Sequence, residues 1–245
     1  MDEVYFGPPG ERERRKMLGM MARTWPGPDH ELPDNLGLFL TPAYLSRILF
    51  FNYLWSLINE VQGVVMEFGC RWGPNLGILT ALRGIYEPYN RLRRIVGFDT
   101  FAGMTEPSPQ DEGGRMEQGA YAVTPDWERT LWKLLSLISQ ESPLGHLEGF
   151  GLVKGDVTET LPVWLAGNPS AVVALAYFDT DLYKPTSDCL RAMGDRLTRG
   201  SVLAFDNLNC PEAPGETMAL REWAFSSAPI RRWPWCGRTS YLVVE

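Results

Sequence analysis

The chain has 245 residues, 44% of them hydrophobic and 12% aromatic, enough apolar material to fill the core of one large α/β domain. Its formal net charge of -7 leaves no basic face for nucleic-acid phosphates, so a nucleic-acid partner is not expected. No run reaches the roughly 18 uncharged apolar residues of a membrane span, the start "MDEVYFGPPGERERRKM" has no apolar targeting core, and Cys70, Cys189, Cys210 and Cys236 lack any C-x-x-C spacing, so a cytoplasmic chain with reduced thiols, no zinc and no membrane contact is expected.

Residues 1–40 are rich in proline, glycine and charge, with "WPGPDHELPDN" the densest run of breakers, and read as a loop-rich arm. Within it "ERERRKM" alternates acids and bases as a solvated helix face does. From Pro42 to Val61 apolar residues recur at helical spacing, behind Thr41 as N-cap and Pro42 as first helical residue. Arm and helix, residues 1–61, are thus set apart from a main domain over 62–245. "GVVMEFGCRWGPNLGILTALRGIY" predicts a strand, a glycine-bearing turn and a helix, and "RRIVGFDTF" a second strand ending on an acid. The polar stretch 102–126 is too long for an ordinary connection and reads as a lid or binding loop, with disorder as the competing reading. "WERTLWKLLSLISQ" resumes helical spacing, and "FGLVKGDVTETLP" reads as a third strand with a turn. Then come a buried strand "AVVALAYFDTD", a helix "TSDCLRAMGDRL", a strand "GSVLAFDN", a helix around "ETMALREWAF", and two last strands, "IRRWPW" and "TSYLVVE". Strands alternating with helices predict a doubly wound, mainly parallel sheet of seven strands with an antiparallel edge.

In such sheets ligands bind beyond the carboxyl ends of the strands, so the residues there carry the chemistry. The first turn, "EFGCRWG", places Glu67 at a strand end and Gly69 and Gly73 where a ligand approaches backbone and helix amides. Its E-x-G-x-x-x-G spacing departs from the G-x-G-x-x-G of dinucleotide sites, and suits the amino-acid end of S-adenosylmethionine better than a pyrophosphate. Asp99 ends the second strand, where a carboxylate accepts ribose hydroxyls. Asp156 follows the third, where an adenine amino group is met; the bland alternative is a turn aspartate. Asp179 and Asp181 in "YFDTDLYKPT", and Asp206 and Asn207 in "AFDN", end two strands expected to lie close together. Asp179, Asp206 and Asn207 form an all-oxygen set suited to Mg²⁺ or another divalent cation. Asp181 is left as candidate base, because neither His30 in the arm nor His146 in "PLGHLEG" falls at a strand mouth. Trp55, Trp132 and Trp223 lie in helical stretches and are expected in the core, and Cys70 reads as a packing residue.

Taken in order, "EFGCRWG", "GFDTFAGM", "VKGDVTETLP", "YFDTDLYKPTSDCL" and "GSVLAFDN" resemble the class I methyltransferases of the macrocin and mycinamicin O-methyltransferase type, over roughly residues 60–225. The resemblance implies a Rossmann-like methyltransferase fold, S-adenosylmethionine as cofactor, and metal-assisted methylation of a sugar hydroxyl on a natural product or its nucleotide-sugar precursor. By the same resemblance Glu67 and Gly69 line the methionine portion, Asp99 holds the ribose, and Asp179, Asp206 and Asn207 bind the metal. Many relatives carry Asp-Asp where this chain has Asp206-Asn207; the Asp-Asn pair is that of catechol O-methyltransferase. The lysine base of the catechol enzymes is replaced by Leu182, which disfavours a catechol or phenol acceptor. Family members assemble through N-terminal helices, which implies a homo-oligomer. A cofactor-binding scaffold without catalysis is the remaining alternative, and it predicts no dependence on metal.

Overall fold

The computed structural model describes residues 9–223, 228–236 and 238–245. Its contacts divide it into two compact units that meet in the sequence between Arg47 and Ile48.

The first unit is more helical than its composition suggests. Helix α1 (Glu11–Arg23) starts behind Gly10 in a left-handed conformation, and short 3-10 turns follow at Asp29–Glu31 and Pro33–Phe39. The acid–base alternation that reads as a solvated face sustains α1 directly, since Arg15 pairs with Glu11 one turn away and none of its residues is buried. Helix α2 (Pro42–Ile58) runs across the unit boundary, and its Thr41 cap is in place, with Oγ1 accepting from Tyr44 N at 3.2 Å. It stops at Ile58, short of the expected Val61. The cause is distant in sequence: the buried Arg93 guanidinium takes the carbonyls of Ile58 (3.0 Å), Val61 (2.8 Å) and Gly63 (2.7 Å), closing the helix end with a side chain.

In the second unit, β1 (Val64–Phe68), α3 (Pro74–Tyr86), β2 (Ile95–Asp99), α4 (Trp127–Gln140), β3 (Phe150–Lys154), α5 (Val157–Gly167), β4 (Val173–Phe178), α6 (Tyr183–Met193), β5 (Leu197–Phe205), α7 (Gly215–Glu222), β6 (Arg231–Arg232) and β7 (Ser240–Val243) follow in turn. They form one seven-stranded sheet in the order β3-β2-β1-β4-β5-β7-β6. Strands β1 to β5 are parallel, and β7 runs antiparallel to both β5 and β6, as the alternation of elements predicts. One element departs from expectation. "VTETLP" belongs to α5 and not to the strand before it, because Asp156 caps the helix by accepting from Thr158 N (2.9 Å) and Thr158 Oγ1 (2.8 Å), while Pro162 lies inside the helix. The final helix is described only to Glu222, so the end of "ETMALREWAF" lies outside the described residues, and "IRRWPW" keeps a strand only at Arg231–Arg232.

Both faces of the sheet are covered, which is why β1 and β4 are buried along their whole length. On one face Val65, Leu175, Tyr177 and Val202 pack against Phe51, Leu54 and Trp55 of α2 and Leu76 of α3; on the other Met66 and Leu203 pack against Leu161 of α5 and Leu190 of α6. Trp55 is core as expected, whereas Trp132 is 40% exposed and leans on Phe150. Across four strands the register brings Phe98, Phe68, Phe178 and Phe205 into one row, with ring centroids 5.3, 5.1 and 4.8 Å apart. Each ring is fully buried and contributes about 1.5–3 kcal/mol by leaving water. This row is the last rung before the strands end. Asp99, Gly69, Asp179 and Asp206 follow it one residue later, so the sheet register itself sets them side by side.

Candidate active site

The ladder carries on by one bond at each mouth: Gly69 N donates to Phe98 O (2.9 Å), Asp179 N to Phe68 O (2.8 Å) and Asp206 N to Phe178 O (2.9 Å). Gly69 is left-handed, φ 88°, and a Cβ there would lie 2.1 Å from Asp179 O. Only glycine lets the first turn lie against the β4 mouth. Gly73 begins α3 with φ 80° and has the Leu131 side chain of α4 where its Cβ would be, at 2.4 Å. Both glycines therefore have a packing reason to be there.

Glu67 is fully buried, with Oε1 accepting from Asn75 Nδ2 of α3 at 2.8 Å. Asp99 Oδ2 accepts from Arg71 N (2.7 Å) and Oδ1 from Phe101 N (2.5 Å), and both donors are left-handed non-glycine residues. The carboxylate thus organises the turns after β1 and β2, with lone pairs remaining for hydroxyl donors. Cys70 lies among these acids. Burial pushes its thiol well above the usual range, and the charges of Glu67, Asp99 and Asp179 push it further, so it stays protonated and packs. Around the turn, Trp72 and Trp127 meet edge to face at 5.0 Å and the Arg71 guanidinium stands 4.7 Å over the Tyr121 ring. The loop 102–126, which carries Tyr121, is pinned rather than open. Met104 N bonds Ala120 O (2.8 Å), Gly119 N bonds Met104 O (2.9 Å), and buried Asp111 accepts from Ser108 N (2.8 Å) and, across the fold, from Tyr183 N (2.8 Å).

The mouths of β4 and β5 carry the acid cluster. Tyr177, buried in β4, donates its hydroxyl to Asp206 Oδ1 at 2.6 Å. Asn207 donates Nδ2 to Asp181 Oδ1. Burial, with the Asp206 charge added, raises Asp181 to about 6, against the opposing Asn207 bond and Arg238 charge. Glu216 of α7, fully buried, accepts from Thr180 N (3.1 Å), Asp181 N (3.2 Å) and Asn207 N (3.1 Å). Burial pushes its carboxyl well above the usual range; the Asp181 and Asp206 charges add to this and the Asn207 and Asp181 amides oppose it. Sequence reading missed Glu216, Tyr177 and Asp111. An acid in the first turn of a helix looks like an ordinary dipole partner, and a tyrosine in an apolar run looks like packing.

Among the described residues no three His, Cys, Asp or Glu side chains group as a metal site. The expected set contains two acids and an amide, and its fit turns on that amide. Asn207 Oδ1 is buried with no hydrogen-bond partner, because the same amide has turned its nitrogen to Asp181. A buried carbonyl oxygen without a hydrogen-bond partner suits a hard cation, so the residues fit a divalent ion. Asp156, by contrast, spends Oδ1 on capping α5. His146 precedes β3 and so lies at the amino end of that strand, away from the carboxyl-end mouths.

A sheet in this order, with a glycine turn after β1 and acids at the next strand mouths, defines a class I methyltransferase. Residues 55–230 match the family described as "TylF: Macrocin-O-methyltransferase (TylF)". The crystal structure of CalS11, described as a calicheamicin methyltransferase, is 42% identical with a TM-score of 0.93, covering 98% of this chain and 94% of that one. An apo structure of CalS11, described as a TDP-rhamnose 3'-O-methyltransferase of calicheamicin biosynthesis, is 40% identical with a TM-score of 0.85, covering 98% and 96%. The O-methyltransferase NovP, 18% identical with a TM-score of 0.55 over 81% of this chain and 79% of that one, shares the fold. No curated protein matches the chain. The chain belongs to the macrocin O-methyltransferase family and is an S-adenosylmethionine-dependent O-methyltransferase.

Proposed function

We propose that the enzyme transfers the methyl group of S-adenosylmethionine to a sugar hydroxyl of a nucleotide sugar or glycosylated natural product, with a divalent cation at the β4 and β5 mouths. The observation that carries the acceptor is the 40% identity, over 98% of this chain, to a protein described as a TDP-rhamnose 3'-O-methyltransferase. In this reading Glu67 and Gly69 line the methionine end of the cofactor, Gly73 opens the helix beside it, Asp99 accepts the ribose hydroxyls, and the free oxygen of Asp156 faces the adenine. Asp179, Asp206 and Asn207 hold the cation, and Tyr177 fixes the Asp206 carboxylate for that purpose. When bound, such an ion draws charge from an acceptor oxygen and makes the hydroxyl easier to ionise.

The chain's own contribution is orientation and proton removal. Asp181, held by Asn207 and by Glu216, takes the hydroxyl proton as base. The acceptor oxygen attacks the sulfonium methyl in line, the C–O bond forms as the C–S bond breaks, and S-adenosylhomocysteine leaves. Leu182 stands where a catechol enzyme has its lysine, which favours the sugar over the phenol reading. We further propose that residues 1–61 serve homo-oligomerisation, since α1 buries none of its residues and exposes Met17, Met20 and Met21. Among the described residues no helix is long and apolar enough to cross a membrane, and all four cysteines are free, which supports a cytoplasmic setting.

The test is a methyl-transfer screen with labelled S-adenosylmethionine over TDP-deoxysugars, glycosylated aromatics and catechols. Transfer to the sugars is the expected result. Transfer confined to catechols would replace the acceptor assignment, and S-adenosylhomocysteine binding with no transfer to any of them would favour the scaffold.

A further inference from the structure

The two mouths that carry the acids are joined by one carboxylate. Glu216 Oε1 takes the amides of Thr180 and Asp181 beyond β4, and Oε2 takes the amide of Asn207 beyond β5. Asp181 holds a left-handed backbone, φ 60°, a conformation that costs a non-glycine residue roughly 1–2 kcal/mol and needs something to sustain it. The acceptor of its N–H is Glu216.

The position of Glu216 is itself fixed from behind. At Gly215 a Cβ would come within 2.3 Å of Tyr183 N and 2.4 Å of Asp111 Oδ1, so the start of α7 is pressed onto the start of α6. Thr180 is tied to the same place, its hydroxyl 2.7 Å from Thr186 Oγ1, which in turn donates to Leu182 O at 2.7 Å. Burying a carboxyl among Asp181 and Asp206 is costly, and a serine or threonine could cap a helix start at less cost. What a cap would not do is span two strands.

We propose that Glu216 is a positioning residue for methyl transfer: by clasping the β4 and β5 mouths it sets Asp181 and Asn207 relative to each other and to the acceptor. The inference rests on the reading that these mouths hold the cation and the acceptor. It predicts that the carboxylate's two-sided reach, and not its charge alone, is what matters. In Glu216→Gln one oxygen is replaced by an NH₂ that opposes a backbone N–H, and in Glu216→Asp the charge stays but the reach shortens by a methylene.

Three readouts on wild type and both variants test this: melting temperature with and without Mg²⁺, calorimetric affinity for S-adenosylhomocysteine, and kcat for transfer to a nucleotide sugar well below the melting temperature. Both variants should bind S-adenosylhomocysteine within about threefold of wild type, lose the Mg²⁺-dependent rise in melting temperature, and fall about a hundredfold in kcat, the penalty typical of a displacement near 1 Å. A Glu216→Gln enzyme that melts lower yet keeps wild-type kcat and the Mg²⁺ response would show a purely structural carboxylate and overturn the proposal. Wild type that binds S-adenosylhomocysteine but ignores Mg²⁺ would instead sink the cation reading. Should neither variant accumulate folded, hydrogen exchange on wild type decides: the amides of Asp181 and Asn207 should be protected and open together, and independent opening would refute the clasp.

Discussion

Replacing Gly69 by alanine puts a Cβ 2.1 Å from Asp179 O and 2.7 Å from Asp179 C, where ordinary contact begins at 3.4 Å. The two backbones must therefore part by about 1.3 Å, and neither is free to move, since Gly69 N is bonded to Phe98 O and Asp179 N to Phe68 O. The left-handed φ of 88° adds roughly 1–2 kcal/mol for an L side chain, and the loss of one ladder bond about 0.5–1.5 kcal/mol. Together these give a destabilisation of about 1.5–3.5 kcal/mol, or a melting point lowered by roughly 3–14 °C for a chain of this length. Displacing Asp179 by about 1 Å should also cost about a hundredfold in turnover. Thermal melting and single-turnover transfer at saturating cofactor read the two effects separately. A Gly69→Ala enzyme that melts within a degree of wild type and turns over within a few fold would refute the argument that this glycine exists for the β1–β4 contact.

Asp206→Ala should abolish transfer while leaving S-adenosylhomocysteine affinity within about twofold by calorimetry, because its proposed partner is the cation and not the cofactor. Asp99→Ala should weaken that affinity by at least about tenfold, as loss of a charge-assisted acceptor costs roughly 1.5–3 kcal/mol; unchanged affinity would remove the ribose assignment. Asp111→Ala should raise the acceptor KM with little change in cofactor affinity, since it frees loop 102–126 from Tyr183 N; an unaltered KM would show that the loop does not shape the acceptor site. Among the thiols, Cys70 and Cys189 are held well above the usual range by burial, whereas at Cys236 burial is outweighed by hydrogen bonds from Arg238 and Thr239 that bring it lower. A native-state thiol titration at mildly alkaline pH should therefore label Cys236 first, and early labelling of Cys70 would contradict the packing role.

The succession of strands and helices and the acids at the strand mouths were legible because they depend on local patterns. Runs such as "VVMEF" and "VALAYF" declare strands buried on both faces, and Asp99, Asp179 and Asp206 each break such a run at its carboxyl end. The parts that were not legible depend on contacts between distant segments. Arg93 ends α2 from 35 residues away, and Glu216 reaches 35 and 36 residues back to Asp181 and Thr180. Helix α5 was hidden because Asp156 read as the end of a strand when it is the cap of a helix, and Pro162 looked like punctuation when it sits inside that helix. In the arm the alternating charges of "ERERRKM" marked a solvated helix face, and α1 lies there, with Arg15 paired to Glu11 one turn away and none of its residues buried.

The most direct test of the account is the rate of methyl transfer from labelled S-adenosylmethionine to a nucleotide sugar, measured in EDTA and then across added Mg²⁺, with S-adenosylhomocysteine affinity followed in parallel. The account predicts transfer that is lost in EDTA and restored by Mg²⁺ while cofactor affinity stays constant. Full transfer in EDTA would contradict it, leaving Asn207 Oδ1 without the cation that its burial calls for.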